Sequence, residues 1–244
     1  MEILLVAVGV FVGILSGFFG IGGGTASVPI LLYMGFDIKQ AIGISVFQML
    51  MSSIFGFYLH RKNQTYNPSR KVYFGVGGIA GAILGAYLVK VLDYKVLEYL
   101  FLGVVVFTLV KLFLSNPEPK KDEIYNPYLY TLIGSGIGIF SGMLGVGGSI
   151  LMTPILVSFL GFSLKKSSAV GLFFVMFSSF SSFVSLSYFG LMDYKHGLLL
   201  GIGSLLGIWM GIWMLKKIKV THYKTIMVWF YIFIFLITVN KILG

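Results

Sequence analysis

Residues 16–30 read SGFFGIGGGTASVPI, and residues 141–155 read SGMLGVGGSILMTPI. A shift of 125 residues superimposes the two, with seven of fifteen positions identical. Each copy is a glycine-dense interruption between apolar runs, followed by a proline. Glycine costs a helix about 1 kcal/mol per position relative to alanine, and proline about 3 kcal/mol in a helix interior. Gly20, Gly22, Gly23 and Gly24 therefore end one helix, and Pro29 fits best in the first turn of another. The expectation is a helix that stops, a gap lined by backbone, and a short helix restarting near Ala26 or Ser27. The competing reading is a packing device, in which small residues merely let helices touch.

The runs on either side decide the solvent. The 244-residue chain is 57% hydrophobic and only 11% charged, with 32 glycines and no cysteine. Soluble domains carry about 25% charged residues, and the apolar runs here reach span length, so the fold class is an all-α polytopic membrane protein. Strands of an outer-membrane barrel need only about ten alternating residues and do not fit such runs. The first run lacks a preceding basic region and a following Ala-x-Ala site, so it reads as a membrane segment, not a signal peptide. A net charge of +10 would hint at nucleic acid in a soluble protein. Here it reflects lysine-rich cytoplasmic loops, and no nucleic-acid partner is expected.

Further landmarks repeat. Gly77, Gly81 and Gly85 lie four apart on one helical face, and Gly203, Gly207 and Gly211 match them at a shift of 126, one residue having been gained near Gly161. Two landmarks at nearly one spacing indicate an internal duplication. The expected organisation is a first transmembrane repeat over 1–114, a linker over 115–126 containing Pro117 and Pro119, and a second repeat over 127–244. Asn67-Pro68 marks a turn in the basic connection of the first repeat.

The basic residues favour one topology. If each broken segment crosses the membrane once, lysine and arginine divide nine against nine. If each is a hairpin returning to its own side, Lys39, Lys90, Lys95, Lys195 and Lys241 face one way and the other thirteen face the opposite way. Five against thirteen obeys the positive-inside rule. Each half then holds a broken-helix hairpin plus three transmembrane helices, both termini lie outside, and the odd number of crossings makes the halves inverted repeats.

Non-helical backbone at membrane depth must be buried in protein or line a polar cavity. Where a helix restarts, its unpaired N–H groups and positive dipole end suit a small anion, and glycine lets the anion approach. Candidate substrate-binding groups are Gly22, Gly23, Gly24, Thr25 and Ser27 in the first copy. Gly147, Gly148, Ser149 and Thr153 are their counterparts in the second. Inversion would bring the breaks together, with Ser45, Gln48, Ser178 and Ser179 as added donors. A serine in a membrane helix can equally close on its own helix carbonyl.

No Asp, Glu, Lys or Arg lies deep in an expected span, which disfavours a cation pump or proton relay. Asp37, Asp93, Glu98 and Asp193 fall at helix ends as solvated or capping groups. His60, His196 and His222 read as interfacial and too scattered for a metal site. No catalytic residues, metal or cofactor are expected, because no acid–base or metal constellation is in register.

At the paired breaks the chain resembles the sulfite exporter TauE/SafE family, on GFFGIGGGTASVPI and GMLGVGGSILMTPI, on AIGIS at 41–45 and the looser SAVGL at 168–172, and on the glycine helices 75–85 and 201–211. The resemblance covers essentially the whole chain. It implies a transporter of the cytoplasmic membrane for sulfite, organosulfonates or related sulfur and small organic anions. The second copy departs from the pattern, with Ser149 in place of a third glycine and Gly171 where Ser45 sits. The leading expectation is a secondary anion carrier. The alternative is an anion channel or a carrier of a neutral or zwitterionic solute, and no oligomeric state is implied.

Overall fold

The computed structural model describes residues 2–62, 72–114 and 124–243. The Asn67-Pro68 turn, the linker prolines Pro117 and Pro119, and Arg70, Lys71, Lys120 and Lys121 lie outside them. Among the described residues ten helices follow in order: α1 (Glu2–Phe19), α2 (Gly24–Tyr33), α3 (Ile38–Lys62), α4 (Val72–Val91), α5 (Tyr94–Leu114), α6 (Pro127–Leu144), α7 (Ser149–Phe159), α8 (Leu164–Tyr188), α9 (Tyr194–Lys217) and α10 (Val220–Leu243). Among the described residues, seven helices are long and apolar enough to cross a membrane: α1, α3, α4, α5, α8, α9 and α10. α6 matches α1 in length, at 18 residues, but carries Thr131, Ser135 and two tyrosines, and is not among the seven.

Local chemistry sets the helix starts. Asn126 accepts from the N–H groups of Tyr128 and Leu129 ahead of Pro127, which occupies the first turn of α6. Asp37 accepts from Gln40 N at 2.9 Å, and the Gln40 amide oxygen accepts from Asp37 N at 3.4 Å, a reciprocal box before α3. Asp193 caps α9 through His196 N and also holds His196 Nδ1 at 2.7 Å. The end-of-helix carboxylates Asp37 and Asp193 are thus caps.

Glycine stripes set the packing. Methyl groups built on Gly9 and Gly17 of α1 would meet Leu200 and Ile208 of α9, so the two helices run parallel at backbone contact. Gly77 and Gly85 of α4 lie likewise against Thr131 and Ile139 of α6. Phe47 lies against Gly197 and Ile208 against Gly56, which makes α3 parallel to α9. Ser181 Oγ donates to Ile79 O and the Tyr87 ring lies near Phe189, which makes α8 parallel to α4. The ring pairs Phe47–Phe183 and Phe57–Phe173 make α3 and α8 antiparallel. One trio (α1, α3, α9) therefore opposes the other (α4, α6, α8). The pairings α1 with α9 and α3 with α9 mirror α6 with α4 and α8 with α4. This is the contact pattern of an internal repeat.

The interior is apolar and so is the exterior. Val105 is fully buried while its neighbours Val106 and Phe107 are exposed, and Trp209, Trp213 and Trp229 all face outward. A helix apolar on every side belongs in hydrocarbon. The chain is a multi-pass membrane protein.

Two details depart from the sequence reading. α2 begins at Gly24, not at Ala26 or Ser27, so Pro29 sits inside the helix beyond its first turn, as Pro154 does in α7. Proline there deprives the carbonyl four residues earlier of its donor. In the second copy that carbonyl is Ile150 O, and the Thr108 hydroxyl of α5 donates to it at 3.4 Å. His60, expected at an interface, is 4% exposed within the last turn of α3.

Candidate functional site

The N-caps of α2 and α7 are Gly23 (φ +91°) and Gly148 (φ +67°), both left-handed and neither with a side-chain cap hydrogen bond. A left-handed N-cap is strained for any residue with a Cβ, which is why glycine stands there. The earliest N–H groups with a helix partner are those of Ala26 and Ser27, both to Gly23 O, and of Leu151 and Met152, both to Gly148 O. The N–H groups of Gly24 and Thr25, and of Ser149 and Ile150, have no intrahelical acceptor and head the helix dipoles.

The two breaks touch. A methyl on Gly24 would collide with the Gly145 carbonyl and come within 2.8 Å of Val146 Cα. One on Gly147 would lie 3.1 Å from Ile21 O. Ser45 Oγ lies 2.7 Å from Ser27 Oγ and donates to Gly145 O at 2.8 Å, tying α2 and α3 to the second break. Gln48 stands opposite Gly23, and its Nε2 donates to Ser52 Oγ at 3.2 Å, which in turn donates to Gly22 O at 3.2 Å. From Gly22 to Ser27 the chain meets α3 first at Ser52 and then at Ser45, so α2 runs back along α3.

The expected residues divide on this geometry. Gly22, Gly23, Gly24, Ser27, Ser45, Gln48 and Gly147 are brought together. Ser178 accepts from Ser141 Oγ at 3.0 Å, and Ser141 lies beside Gly148, so that pair flanks the second cap. Ser179 donates to Met176 O at 3.5 Å and Ser178 to Val175 O at 3.4 Å, each in its own helix, the outcome membrane serines commonly show. The side chain of Ser149 lies outside the described residues, and its backbone N–H opens α7.

Ser52 and Ser141 are site residues the sequence reading passed over. Ser52 lies one turn after Gln48 on the same face of α3. Ser141 opens the second repeated stretch as Ser16 opens the first.

The site is buried but not saturated. Thr25, Ser27, Ser45 and Gln48 have no exposure, and Thr153 has 1%. Among the described residues, Thr25 Oγ1, Thr153 Oγ1, Ser16 Oγ and Gln48 Oε1 have no hydrogen-bond partner. Buried polar atoms are nearly always paired, with protein or with ordered water, so these atoms are places where a water or a ligand can bind. Among the described residues there is no group of three His, Cys, Asp or Glu able to hold a metal. The chemistry on offer is uncharged hydrogen bonding at two helix starts.

Known proteins place this architecture. A probable membrane transporter protein of Methanocaldococcus jannaschii is 28% identical over 75% of this chain and 71% of its own. One from Bacillus subtilis is 24% identical over 84% and 85%, and one from a Sinorhizobium species 28% over 78% and 74%. Residues 5–238 match the family described as sulfite exporter TauE/SafE, which takes in both breaks and nearly every helix. From its matched span and paired glycine breaks, this chain belongs to the sulfite exporter TauE/SafE family, whose members are transporters and not enzymes.

Proposed function

We propose that the protein is a secondary carrier moving a small anion (sulfite, an organosulfonate or a related sulfur or organic anion) across the cytoplasmic membrane by alternating access. In this reading residues 1–114 and 127–244 are homologous halves of opposite orientation. Each is a broken-helix hairpin followed by three crossings, with both termini outside and the thirteen-residue basic face in the cytoplasm.

One observation carries the reading. Two uncapped helix starts, at Gly23 and Gly148, belong to breaks in mutual contact and enclose polar atoms that lack partners. An anion there would accept from Gly24 and Thr25 N–H, from the Thr25 hydroxyl and from the Gln48 amide, in a low-dielectric setting that strengthens each bond. The complete burial of these groups also supports a carrier, which must close over its substrate, more than an open pore.

Counterflow tests the proposal. Proteoliposomes preloaded with unlabelled sulfite should take up labelled sulfite faster than empty ones, and uptake should saturate. Linear, unaccelerated flux would put the channel reading first. Acceleration by a neutral isostere but not by sulfite would overturn the anion assignment while leaving the carrier intact.

A further inference from the structure

Between α5, α6 and α7 runs a groove of about 520 Å³, lined by Tyr99, Gly103 and Phe107 on α5, Gly136 and Phe140 on α6, and Leu151 on α7. Its size falls within the range of small-molecule pockets, roughly 300–1,000 Å³. Two glycines open it. A methyl group on Gly103 or Gly136 would meet nothing within 4 Å, unlike the stripe glycines that press on neighbouring backbone.

The two halves differ in the residues at this opening. At a shift of 126, buried Leu97, Phe101 and Val105 of α5 match buried Tyr223, Met227 and Tyr231 of α10. On that register Trp229 stands in the place of Gly103. On the 125-residue register of the breaks, Phe11 of α1 stands in the place of Gly136. Both aromatics are exposed, at 66% and 49%. One half carries two large rings at these positions, and the other carries two glycines.

A cation stands at one end of the hollow. Lys111 lies one helical turn beyond Phe107, its ammonium 6.0 Å from the Phe107 ring centre and 5.3 Å from that of Phe159 at the end of α7. The corresponding residue of α10 is Ile237. Among the described residues no carboxylate pairs with Lys111. From Lys111 back to Tyr99 is twelve residues, or about 18 Å of helix at 1.5 Å per residue. The hydrocarbon of one leaflet is about 15 Å deep, half of a ~30 Å core.

We propose that this groove is a binding site for an anionic phospholipid, with one acyl chain seated between Gly103 and Gly136 and the headgroup phosphate held by Lys111. The apolar walls suit the chain and exclude the small anions proposed for the glycine breaks. The terminal lysine supplies the selectivity for charge. The site also touches the machinery. Ile137 lines the groove and lies 2.7 Å from where a Cβ on Gly148 would stand, so an acyl chain would press on the side chain that backs the second cap.

Tryptophan quenching by brominated lipid reads the occupant directly. In a background with Trp209, Trp213 and Trp229 changed to phenylalanine, Tyr99→Trp places one fluorophore on the α5 wall of the groove, and Phe140→Trp places one on the α6 wall, each replacing an aromatic already there. In vesicles mixing brominated phosphatidylglycerol with unbrominated phosphatidylcholine, quenching should exceed the mole fraction of the brominated lipid. The expected preference is about fivefold, the factor one lysine supplies toward an anionic lipid surface. Lys111→Gln should abolish it. Quenching that merely follows mole fraction at both positions would overturn the proposal, since the groove would then hold bulk lipid. Shielding from every brominated lipid would overturn it too, because a second copy of the chain would be covering the face. Melting of the unmodified protein supplies an independent reading: phosphatidylglycerol should raise its midpoint above that in phosphatidylcholine, and equal midpoints would count against the site.

Discussion

Gln48 of α3 and Phe174 of α8 stand 126 residues apart, the shift that relates the glycine stripes, and each is a side chain that faces a left-handed helix cap. A Cβ on Gly23 would lie 2.8 Å from both amide atoms of Gln48, and one on Gly148 would lie 2.6 Å from the Phe174 ring. The repeat therefore builds two similar helix starts and then makes them chemically unequal. One cap faces an amide whose Nε2 gives one N–H to Ser52 and keeps a second, and the other faces a ring that offers no such donor. In the carrier proposed above, an anion centred on the first cap would use that donor.

Replacing Gln48 by leucine keeps most of the volume and removes the amide. Hydrogen bonds to charged groups contribute about 1.5–3 kcal/mol, so Gln48→Leu should weaken equilibrium binding of sulfite roughly 10-fold or more. Phe174→Leu should change binding far less and act mainly on stability through the cavity it leaves, by about 1 kcal/mol or more. Isothermal titration of the purified variants separates them. Equal losses of affinity would mean that the two caps share the substrate evenly.

Alanine at the caps looks mild in the sequence, a change small enough to preserve contacts. The backbone makes it severe, because Gly23 and Gly148 are left-handed and their Cβ positions are occupied. Gly35 supplies the control: its φ is +94°, yet nothing lies within 4 Å of a Cβ built there. Gly35→Ala should cost about 1–2 kcal/mol of stability from the conformation alone and leave transport intact. Gly23→Ala should cost at least as much and in addition abolish binding by pushing Gln48 aside. Melting temperature and binding per folded molecule are measured together. Normal binding by a folded Gly23→Ala protein would remove the first cap from the site.

Repeats and residue classes carried most of the fold. The two glycine breaks, their serine and proline neighbours and the stripes at 77–85 and 203–211 were legible because glycine and proline leave few backbone options. What faces each stripe was not legible from spacing alone. Gly9, Gly13 and Gly17 pack on α9 and Gly134, Gly138 and Gly142 on α4, a reciprocal pattern hidden inside runs that read only as apolar. Ser179 and Ser52 show the same limit at the site. Both are serines in long helices within reach of their own helix carbonyl (Ser179 of Met176 O, Ser52 of Met49 O), and only rotation about the helix axis brings Ser52 to Gly22 O as well.

Glycines in helices are ordinarily a weakness, and two groups here should respond to alanine with opposite sign. Gly81 and Gly207 sit where a methyl would collide with the carbonyls of Ser135 and Val10, both backbone atoms that cannot step aside. Gly81→Ala and Gly207→Ala should separate helices and cut folded yield sharply, with no change of selectivity in the molecules that fold. Gly103 is equally helical but open, so Gly103→Ala should gain about 1 kcal/mol of helix propensity and melt no lower than the parent. Thermal melting in one detergent ranks all three. A stable Gly81→Ala protein would show that the stripe is not in tight contact.

The ends of α3 test the topology. Glu2 pairs with Lys195 at 2.7 Å, and Lys195 shares a charged hollow with Asp37, Lys39 and Gln40, so the start of α3 lies beside the N-terminal end of α1. Lys62, at the other end of α3, shares a hollow with Trp213 and Lys216 at the end of α9. If α1 and α2 form a hairpin, Gln40 and the N-terminus share a face while Lys62 lies across the membrane. The chain has no cysteine, so Gln40→Cys and Lys62→Cys each give a single reporter. In intact cells an impermeant maleimide should label Gln40→Cys and spare Lys62→Cys until the membrane is opened. The reverse pattern would keep the hairpin and flip the whole protein, contradicting the positive-inside assignment. Labelling of both from the same side would break the hairpin itself and, with it, the opposed orientation of the two halves.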